Sequence, residues 1–298
     1  MFKIFSHNDL DGYSINVVCN YFNIKADIRN INNKDVNKIL MDFFEAGEHK
    51  KFTRVFLCDI YISEEVAEYI DSKVDNFVLI DHHKSGEYLN RYSWAKVHSI
   101  YNGRPSCATE LFYKYLIDCR LAQYNNLIST YVESVRLFDT AEYIRQKYNE
   151  KYLPEELSIL FFIYFRNYWK HLLANLKNGY IMSYADLQVC KNMLNKIEIY
   201  SKSKQKDIIF IDFDNIKTAV FFIEDPVYIS KILRDAKKNN PEINLFMFIK
   251  LFNSISLRSF NNCDASKIAI NHGGGGHEFA AGIPYDNNLI SQIILKST

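Results

Sequence analysis

Over the first ninety residues, short apolar runs alternate with segments of helical periodicity. Residues 2–5 lead into a helical pattern over 13–22, Arg54–Cys58 leads into one over 63–71, and residues 77–80 run into the triplet Asp81-His82-His83. Such alternation predicts a parallel sheet covered by helices. The runs at 54–58 and 77–80 are unbroken apolar stretches, as expected of strands buried on both faces. Ser63 followed by Glu64 and Glu65 predicts a helix start, with a capping hydroxyl and two carboxylates at the positive end of the dipole.

From about 106 to 177 the pattern is helical and rich in aromatics, with a break at Asp139 and a new start at Leu153-Pro154-Glu155. This stretch completes a first domain. Helical periodicity over 183–201 (Leu187, Cys190, Leu194, Ile197) ends in the polar tract 202–207. Apolar runs at 208–211 and 218–223 follow, then a helix over 227–237, strands over 245–251 and 254–260, a helical pattern over 266–270 and a run of glycines. The expected class is α/β: an N-terminal parallel-sheet domain (1–182) with helices on both faces, a helical linker (183–206) and a smaller mixed α/β domain (207–298). A chain of 298 residues has room for two such cores.

Composition narrows the picture. With 48% apolar and 24% charged residues the chain is globular. Its 36 basic residues against 35 acidic ones create no global field for a long nucleic acid. Cysteines 19, 58, 107, 119, 190 and 263 form no Cys-x-x-Cys pair, so they read as reduced core residues and not as a zinc clamp. The N-terminus turns polar too soon for a signal peptide, and no apolar run approaches the ~20 residues of a membrane helix. A cytoplasmic, membrane-free setting is the expectation.

The chemistry lies at strand ends. His7-Asn8-Asp9-Leu10-Asp11-Gly12 follows the first strand, Asp59 the second buried run, and Asp81-His82-His83 the third. Open α/β sheets place their ligand crevice at these ends. Alternation along an extended segment would point His7, Asp9 and Asp11 the same way, with Gly12 allowing a sharp turn into the helix. Carboxylates so close repel one another unless a cation neutralises them or their pKa values rise. Oxygen ligands with a few imidazoles and no thiolate favour Mn²⁺, or Mg²⁺, over structural zinc. The number of ligands suits two ions, which ~3.5 to 4 Å apart can serve an in-line displacement at a phosphoryl group. His49, His98 and His171 lack this context and read as structural. In Gly273-Gly274-Gly275-Gly276-His277, backbone N–H groups could approach a phosphate without Cβ interference, and His277 could add a donor.

The ordered set His7 to Gly12, Asp59, Asp81-His82-His83, Arg258-Ser259 and Gly273-Gly274-Gly275-Gly276-His277 with Ala280-Ala281-Gly282 resembles the DHH phosphoesterase superfamily with its C-terminal DHH-associated domain. The resemblance covers nearly the whole chain and is nearest the nanoRNase and adenosine bisphosphate phosphatase members. It implies that His7, Asp9 and Asp59 hold one metal, and that Asp11, Asp59, His82 and a later Asp hold the other, with Asp59 bridging. The later ligand falls on Asp139, because Asp139-Thr140-Ala141 stands where close members carry Asp-Thr-Gly. Asp118, inside a helical pattern, is the weaker candidate. Asp81 would orient a ligand from behind, and His83 would donate to the scissile phosphate. Arg258, Ser259, Gly274, Gly275, Gly276 and His277 would bind another phosphate of the substrate, which implies a short one.

The superfamily's substrates include short oligoribonucleotides, adenosine bisphosphate, cyclic dinucleotides, single-stranded DNA for RecJ-type exonucleases, and pyrophosphate. No length is left over for an extra oligonucleotide-binding domain, and the near-zero net charge disfavours a long strand. A two-metal phosphodiesterase for short oligonucleotides or small linear or cyclic dinucleotides is expected. A 3′-phosphatase on adenosine bisphosphate, a RecJ-like exonuclease and a non-catalytic nucleotide-binding relative are the alternatives, and homodimerisation stays open.

Overall fold

The computed structural model describes residues 1–261 and 263–296. The chain divides into two compact units, Met1–Leu187 and the part from Gln188 onward.

The first unit is built on a five-stranded parallel sheet of order β2-β1-β3-β4-β5: β1 (Phe2–His7), β2 (Ala26–Ile31), β3 (Arg54–Cys58), β4 (Phe77–Asp81) and β5 (Ala95–Val97). The apolar runs of β3 and β4 are buried on both faces. Phe5, Val55, Leu57 and Leu79 pack on one face with Val36, Leu40, Phe43 and Phe44 of α2 (Val36–Glu45) and Val66 and Ile70 of α3 (Glu64–Lys73). On the other face Phe56 meets Phe112 edge-on, at a centroid distance of 5.6 Å. That layer holds α1 (Leu10–Tyr21) and α4 (Ala108–Asp118), the latter entered from the small hairpin β6 (Ile100–Tyr101) and β7 (Arg104–Pro105).

Four further helices complete the unit: α5 (Asn126–Asp139), α6 (Glu142–Arg145), α7 (Pro154–Tyr164) and α8 (Tyr168–Lys177). A buried hydroxyl chain ties three of the helices together. Ser14 of α1 lies 2.7 Å from the Tyr131 hydroxyl of α5, itself 3.3 Å from that of Tyr168 in α8. A capping box opens α9 (Tyr184–Lys204): the Asp186 N–H donates to the Ser183 hydroxyl, and the Ser183 N–H donates back to the Asp186 carboxylate.

The second unit carries a six-stranded mixed sheet of order β12-β13-β11-β10-β9-β8. Its elements are β8 (Ile209–Phe213), β9 (Ile216–Phe222), α10 (Ile229–Asn239), β10 (Leu245–Lys250), β11 (Ser254–Ser259), α11 (Ala265–Asn271), β12 (Gly275–Gly276), β13 (Ala280–Pro284) and α12 (Asn287–Lys296). Only β9 and β10 run parallel among its described pairings. Asp214 and Asn215, both at positive φ, make the two-residue turn between β8 and β9. Val220, Met247, Ile249, Ile255 and Leu257 form the core with Ala269 and Ile293.

Several details depart from the sequence reading. The edge strands β2 and β5 were not anticipated, because β2 is half exposed and polar at Asp27 and Arg29, and β5 is only three residues long. Helix α1 begins at Leu10, three residues before the apolar periodicity. Ser63 does sit at the N-cap of α3 but makes no capping hydroxyl bond; its own N–H donates to Asn37 Oδ1. Cysteines 19, 58, 107 and 190 are buried, whereas Cys119 is exposed and Cys263 half-buried, so the core expectation fails for these two. Among the described residues no helix is long and apolar enough to cross a membrane.

Candidate metal centre

Strands β1, β3 and β4 are neighbours in the sheet, so their carboxyl ends lie side by side. His7 ends β1, Asp59 follows β3 and Asp81 ends β4. Asp59 sits at φ +64°, a left-handed conformation that Asp tolerates better than most residues, while its N–H still donates to the Ile80 carbonyl. The chain thus leaves the sheet at Asp59 with its side chain buried.

Three groups of potential metal-ligating atoms form there within the first unit, each with its atoms within 4.8 Å of one another: His7, Asp9 and Asp59; Asp11, His82 and Asp139; and Asp59, Asp81, His82 and His83. His7 Nδ1 lies 2.6 Å from Asp9 Oδ2 and 3.9 Å from Asp59 Oδ2. His82 Nε2 lies 3.0 Å from Asp59 Oδ1, 3.5 Å from Asp139 Oδ2 and 3.7 Å from Asp11 Oδ2. Asp59 therefore turns one oxygen toward each of the first two groups. The three side chains of the first loop do not converge as an extended segment would make them. Asp9 is the N-cap of α1 and stays with His7, whereas Asp11, already helical, joins His82.

The hydrogen bonds fix how these groups can act. His82 Nδ1 lies 2.7 Å from the Ser106 carbonyl, an acceptor only, so the ring's Nδ1 carries the proton and Nε2 faces Asp59, Asp11 and Asp139. A nitrogen lone pair facing three carboxylates needs a cation or a shared proton between them. Asp11 accepts from the Ala108 and Thr109 N–H groups at 2.6 and 2.9 Å, which brings the positive end of α4 to its carboxylate. Burial, reinforced by neighbouring carboxylates, raises the pKa of both Asp59 and Asp139 well above the ordinary carboxylate range. Their Oδ2 atoms are buried without a hydrogen-bond partner. Two buried carboxylate oxygens short of a partner, beside an imidazole aimed at them, fit divalent cations.

Asp81 and His83 complete the cluster. Asp81 Oδ1 accepts from His83 Nδ1 at 2.7 Å. Burial would raise the Asp81 pKa, but the His83 imidazole overrides it and holds the carboxyl below its ordinary value. His83 Nδ1 is committed to Asp81, so Nε2 is the atom it presents away from that carboxylate. Asp118 forms an i,i+4 ion pair with Lys114 on α4, as a surface carboxylate does. His49 packs on Phe44 and His171 pairs with Asp186 at 2.7 Å, both structural roles.

Gly12 is needed for a reason other than a turn. It lies inside α1, and a Cβ there would stand 2.1 Å from the His7 carbonyl oxygen. Gly12→Ala should displace the backbone that carries His7 and Asp9 and cost roughly 2 to 4 kcal/mol, read by denaturant unfolding. Ala141, two residues after Asp139, sits at φ +55°, ψ 19°, where glycine is favoured. Ala141→Gly is expected to stabilise the protein by about 1 kcal/mol, and no gain would show that the turn carries no strain.

Three contributors lay outside the sequence reading. Ser106 orients His82, the Ala108 and Thr109 N–H groups hold Asp11, and the Asn30 amide donates to the His7 carbonyl at 2.6 Å. Two of these act through backbone atoms, which leave no residue-type signature.

In the second unit the glycine run is not an open loop. Gly275 and Gly276 pair with Gly282 and Ala281 as β12 against β13. A Cβ at Gly274 would lie 2.0 Å from the Gly282 carbonyl oxygen, and one at Gly276, where φ is +139°, would lie 2.6 Å from Ala281 Cα. Close approach of two backbones requires these glycines. Arg258 Nη1 donates to the Leu257 carbonyl, and Arg258 pairs with Ala280 across the sheet. Ser259 is buried, with its hydroxyl donated to the Glu278 carbonyl, so it braces the strand that follows the glycines. His277 N–H closes the β12–β13 turn on the Ala280 carbonyl.

No protein-family model matches the chain. It is 28% identical over 311 aligned positions to oligoribonuclease NrnB of Bacillus subtilis, covering 100% of this chain and 76% of that protein. It is 22% identical to a 3′,5′-cyclic-nucleotide phosphodiesterase of Helicobacter pylori, covering 93% of this chain and 90% of that one. Among solved structures, the pGpG-specific phosphodiesterase PggH of Vibrio cholerae matches 99% of each chain with a TM-score of 0.52 and 13% identity, a likeness of fold. The ordered motifs and the two sequence relatives indicate a phosphoesterase of the DHH superfamily.

Proposed function

We propose that this protein is a two-metal phosphodiesterase that hydrolyses short oligonucleotides or small linear or cyclic dinucleotides. The single observation that carries the reading is the pair of groups His7-Asp9-Asp59 and Asp11-His82-Asp139, with Asp59 turning one oxygen toward His7 and the other toward His82 and its Oδ2 buried without a hydrogen-bond partner. The two relatives, an oligoribonuclease and a cyclic-nucleotide phosphodiesterase, support the same bond type.

In this reading His7, Asp9 and Asp59 hold one divalent cation and Asp11, Asp59, His82 and Asp139 the other, with Mn²⁺ preferred to Mg²⁺ because imidazoles join the oxygens. The bound ions supply a water of lowered pKa and neutralise charge on the phosphoryl oxygens. Every remaining task falls to the chain. The Ser106 carbonyl keeps His82 in one tautomer, and the Ala108 and Thr109 N–H groups hold the Asp11 carboxylate in place. Asp81 fixes the His83 ring so that Nε2 is the atom left to the substrate, a donor to the phosphate or to the departing oxygen whenever the ring carries both protons. Arg258, His277 and the backbone around Gly274, Gly275 and Gly276 take another phosphate of the same substrate, with Ser259 bracing them. Binding energy from a second phosphate of the substrate would help to position the scissile bond.

The test is a panel of dinucleotides, ribonucleotide 5-mers, cyclic mono- and dinucleotides and adenosine bisphosphate, each incubated with Mn²⁺. Turnover of short phosphodiesters, suppressed by chelator, is the expected result. No turnover of any of them by metal-loaded protein would refute the enzyme reading, and preference for adenosine bisphosphate would make the protein a monoesterase.

A further inference from the structure

The metal ligands rest on a second cluster just behind them. Arg136, one turn before Asp139 on α5, is 2% exposed and fully engaged. Its Nε and Nη2 donate to the two oxygens of Glu133 at 2.9 and 2.7 Å. Its Nη1 donates to the Pro105 carbonyl at 2.8 Å and pairs with Glu142. Arg104 joins in, bridging Glu133 and Glu110.

The partners of Arg136 are informative. Glu142 opens α6, directly after the Asp139-Thr140-Ala141 turn, and the Arg136 carbonyl accepts both the N–H and the hydroxyl of Thr140. Pro105 begins a segment of five residues that serves the other ligands: the Ser106 carbonyl orients His82, and the Ala108 and Thr109 N–H groups hold Asp11. One buried guanidinium therefore fastens the support of His82 and Asp11 to the helix and turn that carry Asp139. None of its bonds reaches His7, Asp9 or Asp59.

We infer that Arg136 is a positioning residue that sets the geometry of one cation position, the one formed by Asp11, His82 and Asp139, and leaves the other untouched. This rests on the metal reading above and adds an asymmetry to it. A planar guanidinium with donors in fixed directions can hold Glu133, Glu142 and a backbone carbonyl at once, which an ammonium cannot. Supporting residues behind metal ligands commonly change affinity by about 10- to 100-fold when removed.

The experiment is Mn²⁺ binding to the full chain by calorimetry, with electron paramagnetic resonance to detect spin-coupled manganese pairs. Wild type should bind two ions with a coupled signal. Arg136→Ala should keep one ion at wild-type affinity, weaken the second by about 10- to 100-fold and lose the coupled signal, and added methylguanidinium should restore part of it. Glu142→Gln, which retains the guanidinium and its bond to Pro105, should weaken the second ion in the same selective way if Arg136→Ala fails to fold. Two ions bound at unchanged affinity in the folded variants, or equal weakening of both, overturns the assignment. Wild type that binds both ions but hydrolyses nothing refutes the function while leaving the positioning role standing; wild type that binds no Mn²⁺ refutes both.

Discussion

Asp59→Asn is expected to lower kcat/KM by about 10³-fold or more, a loss of about 4 kcal/mol of transition-state stabilisation, while the fold survives. Asparagine accepts the left-handed backbone at position 59 as readily as aspartate and keeps the side-chain volume. What it removes is the anion whose two oxygens face the two ligand groups. The substitution also removes a carboxyl whose ionisation is opposed by burial and by Asp9, Asp11, Asp139 and Asp81. The metal-free melting temperature of the variant should therefore equal or exceed that of wild type, a separation of activity from stability that a plain folding defect cannot produce. Steady-state kinetics and metal-free thermal melts measure both. Activity within 10-fold of wild type would remove Asp59 from the bridging position.

The second large effect is on stability. Burial and carboxylate repulsion raise the folded-state pKa of Asp59 and Asp139 above the unfolded value of about 4. For His7, burial works against the charged ring but Asp9 outweighs it, so this pKa also rises. In each case the folded chain without metal binds more protons than the unfolded chain. The contribution is complete below the unfolded pKa and is lost as pH climbs through the folded one. Asp81, depressed by His83 against the effect of its burial, acts in the opposite sense, but only below about pH 4. Between pH 5 and 8 the metal-free melting temperature should fall. Mn²⁺ at about 100 times its Kd should add roughly 3 kcal/mol per site, equivalent to a rise of roughly 5 to 10 °C. At one fixed Mn²⁺ concentration that rise should be larger at pH 8 than at pH 5, because binding must displace protons at the lower pH. A metal increment independent of pH would contradict carboxylate ligation by these residues.

Much of this was legible in the amino-acid sequence. The buried runs of β3 and β4 announce themselves because both faces are covered, and polar residues placed at the ends of such runs can serve only a turn or a site. The ordered motifs carried the likeness to the superfamily. The edge strand β2 was hidden because solvent on one side permits Asp27 and Arg29 within it. The grouping of Asp11 with His82 was equally hidden, since it depends on a helix that starts at Leu10 rather than later. Ser106, Ala108 and Thr109 act through carbonyl and N–H groups, which every residue has. In the second unit the sequence pointed to glycine but for a different reason: Gly274 and Gly276 are required by the approach of β13, whatever else the loop binds.

In the proposed site one carboxylate, Asp59, would be shared by two divalent cations. Anomalous diffraction from crystals grown with Mn²⁺ tests it most directly. Two manganese peaks are expected, one against His7, Asp9 and Asp59 and the other against Asp11, His82 and Asp139, with Asp59 contacting both. A single peak, or two peaks that do not share Asp59, would contradict it.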